Sequence, residues 1–513
     1  MINFEWHDIR TPLFVCLWMV FILVVKLIFH SRAQGLKMPD SAMMIVAGFC
    51  VGTMLDWFLP HDVYLDPDLF FLYLLPPIAL EAGYFMPNRL FFRNIGTILT
   101  YAIAGTLWNI ITIGLTLYLF SDFYKIKIAF IDLMLFSTLI SAVDPVAVLS
   151  VFTEINVNEL LYICVFGESL LNDAVTIVLY HALSSMATIG SEHLVFNDFL
   201  RASGAFFLVA IGGILIGIIG AAATGLTTRV TKEIAHSQPL ICLLFPYLAY
   251  LIAELGHYSG ILSIVVCGLF MKPYVRRNMS EDAAITVKYF LKTIASHSEA
   301  MIFIFLGLST FSRNHTFIAV TVVSCFVYRF IGTYLFSAIC NKFRVEKIGL
   351  VEQFIMAYGG LRGAICYGLV MTLDKDSIPA KDMFVSTTVV IIVITVFAQG
   401  STIRPLVHFL QVKKKDNHVP TVTEIMFTNA RDDMMAGVEG IAGIHGQYFW
   451  RRRLSQFDRE FIRPLMTEKM SSRGDELVEK YNRVKSTSSQ ARLIQSLNLI
   501  NNDSNDSPSN QQP

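Results

Sequence analysis

Apolar residues run through this chain in long blocks rather than in alternating positions or 3.6-residue stripes. A bilayer-crossing helix needs about 20 mostly apolar residues. Runs near that length, set off by polar or Pro/Gly breaks, fall near 12–30, 41–59, 67–86, 94–120, 131–152, 159–186, 198–228, 238–256, 258–272, 284–312, 315–341, 350–373 and 382–411. The pattern predicts an all-α polytopic membrane protein of about thirteen spans. The ninth run is short, and the tenth opens with Lys288 and Lys292. A removable signal peptide is the rival reading of the first run. Its length, the acidic residues before it and the lack of a small-residue cleavage site after Phe29-His30 favour a retained helix.

Composition sharpens this division. The chain of 513 residues is 54% hydrophobic and 16% charged, with a mean hydropathy of +0.56. Residues 411–513 hold 28 of the 80 charges. That excludes a single globular enzyme and predicts a membrane domain over 1–411, a cytosolic juxtamembrane region over 412–484 and a disordered Ser/Asn/Gln-rich tail over 485–513. A formal net charge of zero offers no footing for a nucleic-acid partner. The eight cysteines stand singly inside apolar runs and read as small core hydrophobes.

Loop charge gives the orientation. Loops after odd-numbered spans carry twelve Lys/Arg, among them Arg32, Lys37, Arg89, Arg276 and Arg277, whereas loops after even-numbered spans carry five. Positive loops stay cytoplasmic, which puts the N-terminus outside and the tail inside. On that map the sequon at Asn278 faces the cytosol.

Two spans are interrupted. In the fifth, Ser141-Ala142-Val143-Asp144-Pro145 sets a proline inside a helix, which removes one amide and orphans the Ser141 carbonyl. In the twelfth, Gly359, Gly360 and Gly363 surround Arg362 at mid-membrane depth. Spans five and twelve differ by seven, which fits two six-helix inverted repeats joined by a linking helix, with the site where the two breaks meet.

Intramembrane charges are costly and mark function by default. In the sixth span, Gly167-Glu168-Ser169-Leu170-Leu171-Asn172-Asp173 places Asp173 on one helical face with Thr176 and Tyr180, and Glu168 with Asn172 on the next. A carboxylate between apolar walls is poorly hydrated when charged, so near neutral pH it holds either a proton or a cation such as Na+, but not both. That competition, with alternating access, couples inward cation flow to outward proton flow. Glu168 is expected to pair with Arg329 of the eleventh span, leaving Arg362 to balance the helix-break dipoles. Glu81 and Glu299 are further intramembrane acids on a possible ion path, while Glu254 and Glu352 lie near helix ends.

These segments together resemble the eukaryotic sodium/proton exchangers of the plasma-membrane type. The resemblance rests on Leu74-Leu75-Pro76-Pro77-Ile78, Ile140 to Leu149, Phe166 to Val175, Ile302 to Gly307 and Ala357 to Ile365. It implies a homodimeric antiporter fold with crossed broken helices and an elevator-like moving core. It also implies electroneutral exchange of external sodium for internal protons, with those ions as cargo and no cofactor. Asn172-Asp173 falls on the family's ion-binding pair, Asp144 on its broken-helix aspartate and Arg362 on its motif arginine. Phe70, Phe71 and Tyr73 fall on the segment associated with amiloride-type inhibitors, where Tyr73 replaces the usual Phe; Glu81 replaces the usual Asp.

In the tail, Lys413-Lys414-Lys415 suits anionic headgroups, and Arg451-Arg452-Arg453 suits phosphoinositides. From 424 to 443, Phe427, Ala430, Met434, Val438 and Ile441, with Met435, form a Met-rich helical stripe of the kind that docks in EF-hand grooves. The resemblance names a calcineurin B homologous protein as that partner; a helix lying on the bilayer is the alternative. Potassium/proton exchange, or a non-transporting sensor or scaffold of the same fold, stays open beside sodium/proton exchange. An ATP-driven pump is disfavoured because no GxxxxGK[ST] motif is present.

Overall fold

A computed structural model describes residues 16–28, 39–58, 65–124, 128–189, 196–231, 234–309, 315–344, 346–375, 378–414, 421–443 and 446–467. The expected disordered tail over 485–513 and Lys415 lie outside them. In chain order the membrane helices are α1 (Cys16–Ile28), α2 (Asp40–Phe58), α3 (Pro67–Phe85), α4 (Asn88–Leu119), α5 (Phe130–Ser141), α6 (Val146–Ile155) and α7 (Glu159–Ile189). Then come α8 (Phe196–Val230), α9 (Gln238–Leu255), α10 (Gly260–Asn278), α11 (Glu281–Leu308), α12 (His315–Phe343), α13 (Leu350–Tyr358), α14 (Ala364–Met371) and α15 (Lys381–Phe409).

Eight of these are each long and apolar enough to cross a membrane. Helices dominate because a chain in hydrocarbon must satisfy its backbone amides and carbonyls internally. The fifth and twelfth apolar runs are not single helices. Each is two half-helices, α5/α6 and α13/α14, separated by non-helical residues at the proline and at the glycine cluster. Three π-helical turns, Phe70–Leu74, Thr100–Gly105 and Thr395–Gln399, interrupt α3, α4 and α15. Hydropathy does not signal them, since a π-turn changes hydrogen-bond register without changing polarity.

The helices sort into two bundles. In the first, α2 and α3 pack on α11 and α10, and α10 packs on α8 and α9; α1 joins through Trp18 against Phe305, ring centroids 5.6 Å apart. In the second, α4, α5, α7 and α12 enclose the half-helices and α15. Lipid offers no hydrophobic drive for helix pairing, so close packing of small residues does the work. At the α3–α10 crossing, a Cβ on Gly83 would stand 2.6 Å from the Val265 carbonyl oxygen, and one on Gly268 would stand 2.9 Å from the Tyr84 nitrogen.

The tail forms α16 (Val422–Ile441), closed by a Thr421/Glu424 capping box, and a helix over 447–466. It folds back on the C-terminal end of α10. Tyr274 Oη donates to Asp458 Oδ1 at 2.7 Å, and Asn278 Nδ2 donates to the Met466 carbonyl at 2.9 Å. The sequon asparagine is thus buried and engaged. The Asn158 amide donates to the Lys413 carbonyl at 3.0 Å, while the Lys413 and Lys414 side chains stay exposed, as do Arg451, Arg452 and Arg453. Phe427, Met434, Met435, Val438 and Ile441 all lie exposed on α16, which ends at Ile441 rather than at 443.

Candidate functional site

Pro145 has no amide to donate, so α5 stops at Ser141 and its last carbonyls need other partners. The carbonyls of Ser141, Ala142 and Val143 each find a side chain. Asn172 Nδ2 donates to the Ser141 oxygen at 3.2 Å. Arg362 Nη1 and Cys366 Sγ donate to the Ala142 oxygen at 3.3 and 3.2 Å. Ser169 Oγ donates to the Val143 oxygen at 2.8 Å. The two breaks touch directly, because the Asp144 amide donates to the Leu361 carbonyl at 2.8 Å.

Asp144 serves both half-helices at once. Its carboxylate accepts from the Val146 amide at 3.1 Å and from the Ala364 amide. Those are the first residues of α6 and α14, so one negative charge sits at two helix N-termini, where the backbone dipoles are positive. Arg362, only 2% exposed, does the converse at the carbonyl end of α5. Gly363 is required by this closeness, since a Cβ there would overlap the Asp144 carboxylate.

On α7, Asn172 is fully committed. Its Oδ1 accepts from Thr106 Oγ1 and Thr176 Oγ1, each at 3.0 Å, and its amide holds the break. Asp173 beside it is not. Its side chain is half-buried, and its Oδ1 is buried with no hydrogen-bond partner among the described residues. A buried oxygen of this kind carries an unmet desolvation cost unless a proton or cation meets it. Asp144 lies within electrostatic reach of it. Two turns on, Tyr180 Oη and Thr372 Oγ1 are 2.7 Å apart and tie α7 to the end of α14. No group of three or more His, Cys, Asp or Glu side chains able to hold a metal occurs among the described residues.

Glu168 and Arg329 form a buried ion pair, and Arg329 Nη2 also donates to the Met356 carbonyl at 3.2 Å. Gly360 lets this guanidinium approach the second break, where a Cβ would lie 2.8 Å from Arg329 Nε. The π-turn of α15 reaches the same place, since Thr395 Oγ1 accepts from the Arg362 amide at 3.3 Å. Glu299 lines a cavity of about 200 Å³ with Asp40, Lys26 and Val146, and lies within electrostatic reach of Asp144 and Glu81. Glu254 accepts from the Gly260 amide at 3.0 Å, and Glu352 caps α13 through the Gly349 amide at 2.8 Å. Phe70 is buried edge-on to Phe71 at 4.9 Å, while Tyr73 faces outward. Thr106, Thr395 and Lys26 belong to no motif in the sequence, and Cys366 reads there as a small core hydrophobe, whereas its Sγ reaches the Ala142 carbonyl. Only Lys26, a charge inside an apolar run, carried a visible signal.

The family described as sodium/hydrogen exchanger, transmembrane, matches residues 19–409. A Caenorhabditis elegans protein named probable Na(+)/H(+) antiporter nhx-9 is 44% identical over 473 residues, covering 91% of this chain and 71% of that one. Human sodium/hydrogen exchanger 5 is 41% identical over 496 residues, and the match spans 94% of this chain but 55% of the human protein. The solved structure of the sodium proton antiporter MjNhaP1 from Methanocaldococcus jannaschii shares the fold, with a TM-score of 0.60 at 19% identity over 78% of this chain and 99% of that one.

Proposed function

Because the chain belongs to the sodium/hydrogen exchanger family, we propose that it exchanges external Na+ for internal H+ at Asp173, one for one and without net charge movement. It is a multi-pass membrane transporter and not an enzyme. The unpartnered Oδ1 of Asp173, beside an Asn172 engaged by the Ser141 carbonyl, Thr106 and Thr176, carries this reading. With one free carboxylate, the site is neutral whether it holds a proton or a sodium ion. Asp144 and Arg362 act as the charges that let four half-helix ends meet in the membrane, and Glu168–Arg329 anchors the crossing to α7 and α12.

The site-bearing bundle moves against the first bundle and exposes Asp173 to each side in turn, the elevator motion that division of the helices supports. The sodium relatives favour Na+ over K+ as the cargo. The chain acts as a homodimer in the plasma membrane, and the outward apolar face of α8, with Phe207, Ile211, Leu215 and Ile219, supports pairing of copies. Its N-terminus lies outside and its tail inside, following loop charge. The exposed α16 stripe takes an EF-hand protein, for which calcineurin B homologous protein is the reading, and the Lys413/Lys414 and Arg451–Arg453 clusters take anionic lipid.

Purified protein in liposomes with an acidic interior is expected to accumulate labelled sodium at a rate unaffected by clamping the membrane potential. Uptake of potassium in preference to sodium would overturn the choice of ion, and uptake of neither would overturn the function.

A further inference from the structure

The 200 Å³ cavity lies between the two bundles. Its wall on the first bundle carries Lys26, Asp40 and Glu299, and its wall on the second carries Val146 and Ser150. Val146 gives the cavity its depth, because its amide is already bound by Asp144 at the crossing. By the loop-charge map the α1–α2 end is cytosolic, so this is the side from which an internal ion would approach. Lys26 Nζ is fixed there, donating to both the carbonyl and Oγ of Ser296 at 2.6 Å. The carboxylates bearing on it are Glu299 of α11 and Asp40 of α2, with Asp144 and Glu81 acting in turn on Glu299. His297, the neighbouring titratable group on α11, is turned back to the Thr293 carbonyl at 2.8 Å.

We propose that Lys26 is a positioning residue of the transport cycle: a fixed positive charge that offsets Asp40 and Glu299 and sets how readily cytosolic cations enter. The inference rests on the exchange reading above. Two carboxylates in a low-dielectric cleft concentrate cations, and an immobile ammonium beside them opposes that field. Lysine is otherwise a poor choice in a membrane helix, where burial of its charge is costly. Holding it on Ser296, clear of the deeper crossing, keeps its field at the entrance.

The test uses the full chain in exchanger-deficient cells, reading proton efflux against internal pH and, separately, against external sodium. Removing the positive charge raises the local proton concentration, so a given occupancy is reached at higher bulk pH. K26M is expected to shift half-activation about 0.7 unit alkaline, roughly fivefold in proton concentration, with the external sodium KM unmoved. K26E should shift further the same way, and K26R should match wild type. Equal behaviour of K26M, K26E and wild type would overturn the proposal, as would a displaced external KM or a loss of surface protein common to all three variants. Exchange that persists in D173N would instead contradict the reading of the transport site, which keeps the two failures distinct.

Discussion

Asp173→Asn is expected to abolish sodium-coupled proton efflux, at least 100-fold below wild type, with surface abundance unchanged. The amide matches the carboxylate in size, so packing on α7 is kept, but it cannot take a proton or neutralise a sodium ion. The loss should be in the maximal rate and not rescued by raising external sodium, because what is removed is the shared site and not an approach to it. Proton efflux measured in acid-loaded cells, with surface labelling, checks this.

Glu168→Gln and Arg329→Met are each expected to cost about 3 to 5 kcal/mol, because either change strands the opposite charge inside the protein. Both side chains are nearly closed to solvent, at 3% and 9% exposure. Thermal unfolding in detergent, or the yield of monodisperse protein, reads the effect. The swap Glu168→Arg with Arg329→Glu should recover part of what the single reversals lose. Recovery stays partial, since Arg329 also donates to the Met356 carbonyl and passes close to Gly360. A swap no better than either single reversal would show that the pair's contribution is not electrostatic.

Much of this site was legible because the membrane makes exceptions conspicuous. Asp144-Pro145, Gly359-Gly360, Glu168, Asp173, Arg329 and Arg362 each break an apolar run, and each lies at the crossing or beside it. The proline even pointed to the Ser141 carbonyl, which Asn172 occupies. What stayed hidden was the partner chemistry. Thr106 and Thr395 look like ordinary membrane threonines, since a hydroxyl in such a helix usually bonds its own preceding turn, as Thr106 also does to the Ala102 carbonyl at 2.6 Å. The π-turn that carries Thr395 leaves no trace in hydropathy. Asp144 is the sharper case. Sequence grouped it with Asp173 as an acid at the site, whereas the geometry gives its carboxylate to two backbone amides, a difference set by half-helices far apart in the chain. Lys26 was readable in principle, standing alone among apolar residues, but its meaning required α2 and α11 alongside it.

One shared carboxylate for two cargo ions is the central claim, and proton release on sodium binding tests it most directly. Calorimetric titration of the purified protein with sodium, in buffers of different ionisation enthalpy near neutral pH, counts the protons expelled. Release approaching one proton per sodium bound is expected for wild type, with neither binding nor release for Asp173→Asn. Sodium binding without proton release, or release that persists in Asp173→Asn, would contradict it.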